Sequence, residues 1–191
     1  MLEGKRVALV GPSPHLLGKG IGSLIDDYDI VCRINDLVDE KYSADYGGKN
    51  DIVFYSCATL WLHSFQFKLE KTIERAKRLR YVICPQLHAT HDRSGSVVEN
   101  FKKINRWEIP FWRIGGENYA KLINEVGVQP NSGLMAILIL LNCPIKELFI
   151  TGFAFYQQYN NRKRYSDCYY SKEDYMPGID SKNSNPLRGH Q

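Results

Sequence analysis

The run Val7-Ala8-Leu9-Val10 ends abruptly at Gly11, and a second apolar run, Asp29 to Ile34, ends at Asn35. Between them lie a proline- and glycine-rich loop and a short helical stretch. Two short runs without polar alternation, joined by a helical crossover, are the opening of an open parallel sheet. Such a sheet carries its ligand crevice outside the carboxyl ends of its strands. Gly11-Pro12-Ser13 and Asn35 both fall at those ends, so polar groups from two strands are expected to face one crevice. Familiar nucleotide fingerprints do not fit. Gly11 stands too far from Gly18-Lys19-Gly20 for a P-loop, and no Ser or Thr follows Lys19. Gly18-Lys19-Gly20-Ile21-Gly22 lacks one residue of the dinucleotide pattern, and Pro12 and Pro14 remove two backbone donors. On this stretch alone, a ligand site and a plain glycine-rich connection are equally open.

The same alternation continues along the chain. Strands are expected at Arg6–Val10, Asp29–Ile34, Ile52–Ser56, Tyr81–Cys84, Phe111–Ile114 and Glu147–Thr151. Helical faces form from Leu69, Ile73 and Ala76, from Val97, Phe101 and Ile104, and from Tyr119, Leu122, Ile123 and Val126. The expected fold is α/β: a single Rossmann-like domain over 1–191, with a mostly parallel twisted sheet flanked by helices. From Tyr156 the periodicity gives way to Tyr, Asn, Ser, Lys and Arg, so 154–191 is expected to be a lid or active-site region.

A second stretch, Gln129-Pro130-Asn131-Ser132-Gly133, precedes Leu-Met-Ala-Ile-Leu-Ile-Leu-Leu. Asn131 or Ser132 caps a helix that is apolar all round and hence expected to be central. Its free N–H groups beside Ser132 and Gly133 would seat a phosphate or carboxylate. Gly152-Phe153 closes the last strand at its carboxyl end. The expected crevice thus draws on Gly11 to His15, Asn35, Ser132-Gly133 and Gly152-Phe153.

The net charge of +4 permits an anionic ligand or a loose membrane association without singling out nucleic acid. The longest apolar run, Leu134 to Leu141, is too short to span a bilayer, and the N-terminus has no signal-peptide core. With five cysteines and no Cys-x-x-Cys pair, reduced thiols and a cytoplasmic location are expected. Cys84, His88 and His91 lack a clear fourth metal ligand, so no metal is expected. Asp26 and Asp29 are a paired-acid candidate better explained as caps.

Two motifs carry a family resemblance. The first is Val10-Gly11-x-Ser13-x-x-Leu16, then Gly22-x-x-Ile25-Asp26-x-x-Asp29-x-Val31-x-Arg33-x-Asn35, then Asp45-x-Gly47-x-Lys49. The second is Pro130-x-Ser132-Gly133-Leu134, then Cys143-x-x-x-x-Leu148 and Gly152-Phe153. In order and spacing they resemble the long and small motifs of glycosyltransferase family 29, the eukaryotic-type sialyltransferases, whose fold is a variant GT-A-like one. The resemblance implies inverting, metal-independent transfer of sialic acid, or of a Kdo-type sugar, from a CMP donor to a glycan hydroxyl. It implies no cofactor beyond the donor substrate, CMP-sialic acid or CMP-Kdo, and no nucleic-acid partner. The implied acceptor is a surface glycan or lipopolysaccharide-type precursor, with specificity in Trp61–His63, His88–Arg93 and the Tyr-rich C-terminal region.

Carried over, Gly11, Ser13, His15, Asn35, Ser132, Gly133, Gly152, Phe153 and Tyr169 resemble donor-binding positions, and His190 resembles the general base. Pro12 and His15 stand where the family has Asn, and Cys168 stands at the place of its phosphate-contacting His. The sequence ends at Gln191, before the acidic residue that follows the family's His. These departures leave open a second reading, a CMP-sugar-binding module that has lost turnover. In animal relatives a Cys before the first strand pairs with the Cys of the second motif. Here Val7 stands at the first place and Cys143 at the second, so no such disulfide is expected.

Overall fold

The computed structural model describes residues 1–35, 37–56, 79–86, 101–102, 105, 108–128 and 130–154. Its strands are β1 (Arg6–Val10), β2 (Ile30–Ile34), β3 (Ile52–Phe54), β4 (Tyr81–Cys84), β5 (Phe111–Arg113) and β6 (Glu147–Thr151). Among the described residues the helices α1 (Gly22–Asp26), α2 (Ser43–Tyr46), α3 (Gly116–Val126) and α4 (Ser132–Leu141) lie between them. The six strands form one sheet in the order β5-β4-β3-β2-β1-β6, with every pair parallel. The chain steps outward from β1 to β5 and then returns to the other side of β1 as β6. This α/β, Rossmann-like sheet therefore reverses direction between β1 and β6.

The runs of the inner strands β1 to β4 are continuous because both sheet faces are covered there. Val7 and Leu9 of β1 join Ile30, Cys32, Ile34, Ile52 and Phe54 against Ala136, Ile137 and Leu140 of α4. On the opposite face Ala8, Val10 and Val31 pack with Ile25 of α1, Tyr28 and Tyr46 of α2. Successive residues of β1 thus serve different layers, as the two-residue period of a strand requires.

Regular pairing is shorter than the apolar runs at three places. Asp29 precedes β2, and its carboxylate accepts the Arg6 N–H at 2.8 Å. Tyr55 and Ile114 still donate to Ile83 O and Cys84 O, at 2.8 and 3.1 Å, although the ladders end one residue earlier. Ser56 turns its N–H away to the side chain of Asn35.

Helix α4 also departs from expectation, because it is not enclosed on all sides. It packs one side on the sheet and another, through Met135, Leu138 and Ile139, on Tyr119 and Leu122 of α3, leaving Leu141 62% exposed. An apolar circumference here reflects two neighbours, not full burial. The helical pattern at 69–76 lies outside the described residues. Of that at 97–104, Phe101 is buried and stacks on Phe111 with ring centroids 4.4 Å apart.

Candidate functional site

Where the sheet reverses, β1 and β6 leave the ladder together. Gly11 N–H donates to Thr151 O at 2.8 Å and Ser13 N–H donates to Gly152 O at 2.9 Å. The two chains run so close that a Cβ on Gly11 would stand 2.5 Å from Gly152 O. One on Gly152 would stand 2.3 Å from Gly11 O, and Gly152 also adopts φ +75°. Only glycine satisfies both demands at once. The pair narrows the floor of the crevice at the switch point, where open α/β sheets bind ligands.

The first turn of α4 stands over this floor. Asn131 is its cap: Oδ1 accepts Leu134 N–H at 2.9 Å and the carbonyl accepts Met135 N–H at 2.9 Å. That leaves the N–H groups of Ser132 and Gly133 without hydrogen-bond partners among the described residues. The Ser132 hydroxyl, on a residue only 7% exposed, has none either. Phe153 packs against this turn, for a Cβ on Gly133 would meet its Cε1 at 2.9 Å. Three donors and the positive end of a ten-residue helix therefore converge beside the Gly11–Gly152 contact.

Asn35 lies one strand further along the carboxyl edge. It holds a left-handed backbone, φ 62°, because its N–H donates to Phe54 O at 2.7 Å while its Oδ1 accepts Ser56 N–H at 3.3 Å. Asn tolerates this conformation better than most residues. Its Nδ2 has no partner among the described residues. Ser13 and His15 complete the β1 side, with Ser13 Oγ 2.8 Å from His15 Nδ1. Partial desolvation, with a smaller effect from Lys19, holds the His15 imidazole below the usual histidine range.

Other motif residues build the scaffold. Arg33 is fully buried on β2 and donates to Tyr46 O, Gly47 O, Lys49 O and Asn50 Oδ1 at 2.7–3.2 Å. An Arg inside Val31-Cys32-Arg33-Ile34 signals such a clamp, but its partners come from a loop that the strand pattern does not locate. Tyr46, whose hydroxyl donates to Ser13 O at 2.6 Å, ties that loop to the site and was not foreseen. Asp26 accepts the N–H groups of Gly48 and Lys49 at 2.8 and 2.9 Å. Asp26 and Asp29 are thus backbone caps rather than an acid pair. Asp45 accepts from Gly18 and Gly20 at 2.9 and 2.8 Å, filling the glycine loop with an internal carboxylate. That loop is closed to a phosphate.

Cys32, Cys84 and Cys143 form no disulfide among the described residues. The Cys84 thiol faces Gln86 O and Ser56 O, at 3.3 and 3.8 Å, while His88 and His91 lie outside the described residues. Tyr169, Cys168 and His190, and the acceptor segments Trp61–His63 and His88–Arg93, also lie outside them. No helix among the described residues is long and apolar enough to cross a membrane.

A family model for Glycosyltransferase family 29 (sialyltransferase) matches residues 2–109, more than half of the chain. The chain belongs to glycosyltransferase family 29. Its fold is similar to that of a solved mammalian sialyltransferase, with 16% identity and a TM-score of 0.53 over 96% of this chain and 65% of that one. A mammalian sialyltransferase solved with Gal-beta-1-3GalNAc-ortho-nitrophenol is likewise similar, with 15% identity and a TM-score of 0.51 over 86% of this chain. The chain spans 62% and 65% of the two structures' own lengths, less than two thirds of either. No curated protein matches it. The matched residues 2–109 include both the β1 and β2 ends of the crevice and the Arg33 clamp beneath them.

Proposed function

We propose that this family 29 chain transfers sialic acid, or a Kdo-type sugar, from a CMP donor to a glycan hydroxyl, inverting the anomeric centre without a metal. The observation that carries the reading is the open donor set of Ser132 and Gly133 at the start of α4, set over the Gly11–Gly152 contact. A nucleotide phosphate is the anion such a seat suits. Ser13, His15 and Asn35 would hold the donor from the β1 and β2 ends. Phe153 would offer a ring face, and Tyr169 a further contact.

In this reading His190 takes the proton of the acceptor hydroxyl as its oxygen bonds to the anomeric carbon. The bond from that carbon to the phosphate oxygen breaks in the same step, and CMP leaves with the electron pair. A glycan or lipopolysaccharide-type molecule is the acceptor.

A thermal-shift titration with CMP, UDP and GDP tests the donor. CMP is expected to stabilise the chain most, by about 2.7 kcal/mol at a hundred times its Kd. Asn35→Ala should weaken the response more than the surface change Lys121→Ala. Equal responses to CMP and UDP would count against the assignment. In transfer assays His190→Ala should lose roughly 10²–10⁴-fold while keeping the CMP response. Binding by the wild type without transfer to any acceptor would favour the binding-module reading.

A further inference from the structure

His15 sits on the turn that follows β1, two residues after Ser13, whose N–H donates to Gly152 O at the crevice floor, and its side chain contacts only one polar atom among the described residues, Ser13 Oγ. A serine hydroxyl can donate to a neutral ring nitrogen or accept from a protonated one. The Ser13–His15 contact therefore persists in both protonation states and keeps the ring in one orientation. Nε2 is left without a partner among the described residues; it carries the ring's one proton when Ser13 donates to Nδ1, and still carries a proton when the ring is charged and Ser13 accepts from Nδ1. Adding a second proton changes the ring's charge without moving it. Lys19 is the charged side chain that acts on the ring. The Asp45 carboxylate is engaged by Gly18 and Gly20, and Tyr46 reaches this turn from α2 through its hydroxyl on Ser13 O. No carboxylate pairs with the imidazole among the described residues.

We propose that His15 makes binding of the donor's phosphate proton-linked, so that affinity rises as pH falls from 7.5 to 5.5. This rests on the CMP-donor reading. An anion at Nε2 meets a neutral N–H donor at the upper pH and a cationic one at the lower, and charge-assisted bonds are about twice as strong. The free ring, disfavoured from charging by desolvation and Lys19, takes up its proton when the phosphate arrives.

The probe is the methyl ester of cytidine 5′-phosphate, a diester whose charge stays constant over this range, with cytidine as the uncharged control. Wild type should bind the diester about fivefold more tightly at pH 5.5 than at pH 7.5. His15→Asn, an amide that donates but does not titrate, should show the same Kd at both, and cytidine should show no pH dependence with either. In the wild type, the His15 resonance followed by NMR should report a higher pKa with the diester than without. Diester binding with no pH difference between wild type and His15→Asn, or with no rise in that pKa, overturns the proposal and leaves the donor reading standing. Failure of both the diester and CMP to bind at any pH overturns the two together.

Discussion

Gly152 meets two separate demands, and a second glycine separates them. At Gly127, φ is +71° but no atom lies within 4 Å of a built Cβ, so alanine there meets only backbone strain. Gly127→Ala should destabilise by about 1–2 kcal/mol. Gly152→Ala adds a collision with Gly11 O to the same strain and should lose roughly 2–5 kcal/mol. It should also lose the response to CMP, because the β1 and β6 ends must part. Denaturant titration of the two variants checks this. Similar losses would mean that the switch-point contact relaxes at little expense. The residue types at the site were legible in the sequence: Gly11, Ser13, Asn35, Ser132 and Gly152 all fall at strand or helix ends. Their contacts were not, since Gly11 and Gly152 meet only when β6 returns beside β1. Tyr169 and His190 rest on the family resemblance alone.

At the scale of elements, the apolar runs located the six strands of the described residues within two residues, because the inner strands β1 to β4 are covered on both faces and keep their runs nearly free of polar positions, Arg33 apart. Their ends were less legible, since Ser56 chooses between a ladder partner and Asn35 only in the folded sheet. The apolar circumference of α4 suggested enclosure, whereas a sheet on one side and α3 on another are enough to require it. Its start was narrowed to Asn131 or Ser132, and the geometry divides the work between them. Asn131 caps, and the Ser132 hydroxyl makes no hydrogen bond among the described residues. Asn131→Ala should therefore destabilise by about 1 kcal/mol, and Asn131→Ser should restore most of it. Ser132→Ala should change stability by less than about 0.5 kcal/mol yet reduce the CMP-induced shift. A full CMP response in Ser132→Ala would remove that hydroxyl from the binding set.

At the scale of the molecule, the two edges of the central strands are held by different chemistry, and acid should tell them apart. At the amino edge, Asp29 accepts Arg6 N–H, which holds its carboxyl below the usual range. Glu147 there is lowered first by the Tyr28 hydroxyl at 2.6 Å and then by Arg6. Asp45 is lowered by Gly20 and Gly18. For each, the folded state binds its proton less readily than the unfolded chain. Their contribution is therefore complete above the unfolded carboxyl range, about pH 4, and is lost as pH falls through the folded values. His15 follows the same sign at higher pH: its lowered folded pKa makes its contribution present above about pH 6.5 and lost below. The carboxyl edge of β1 and β6 instead rests on Gly11 N–H to Thr151 O and Ser13 N–H to Gly152 O, which do not titrate. Stability in denaturant should thus dip slightly below pH 6.5, a dip absent in His15→Asn, and fall more steeply below pH 4. Hydrogen exchange corrected for intrinsic rates should show protection failing first at Arg6, whose N–H the Asp29 carboxylate holds. Gly11 and Ser13 should stay protected until the sheet unfolds as a whole. Earlier loss at Gly11 and Ser13 would mean that the crevice floor, not the amino edge, is the weaker end of the fold.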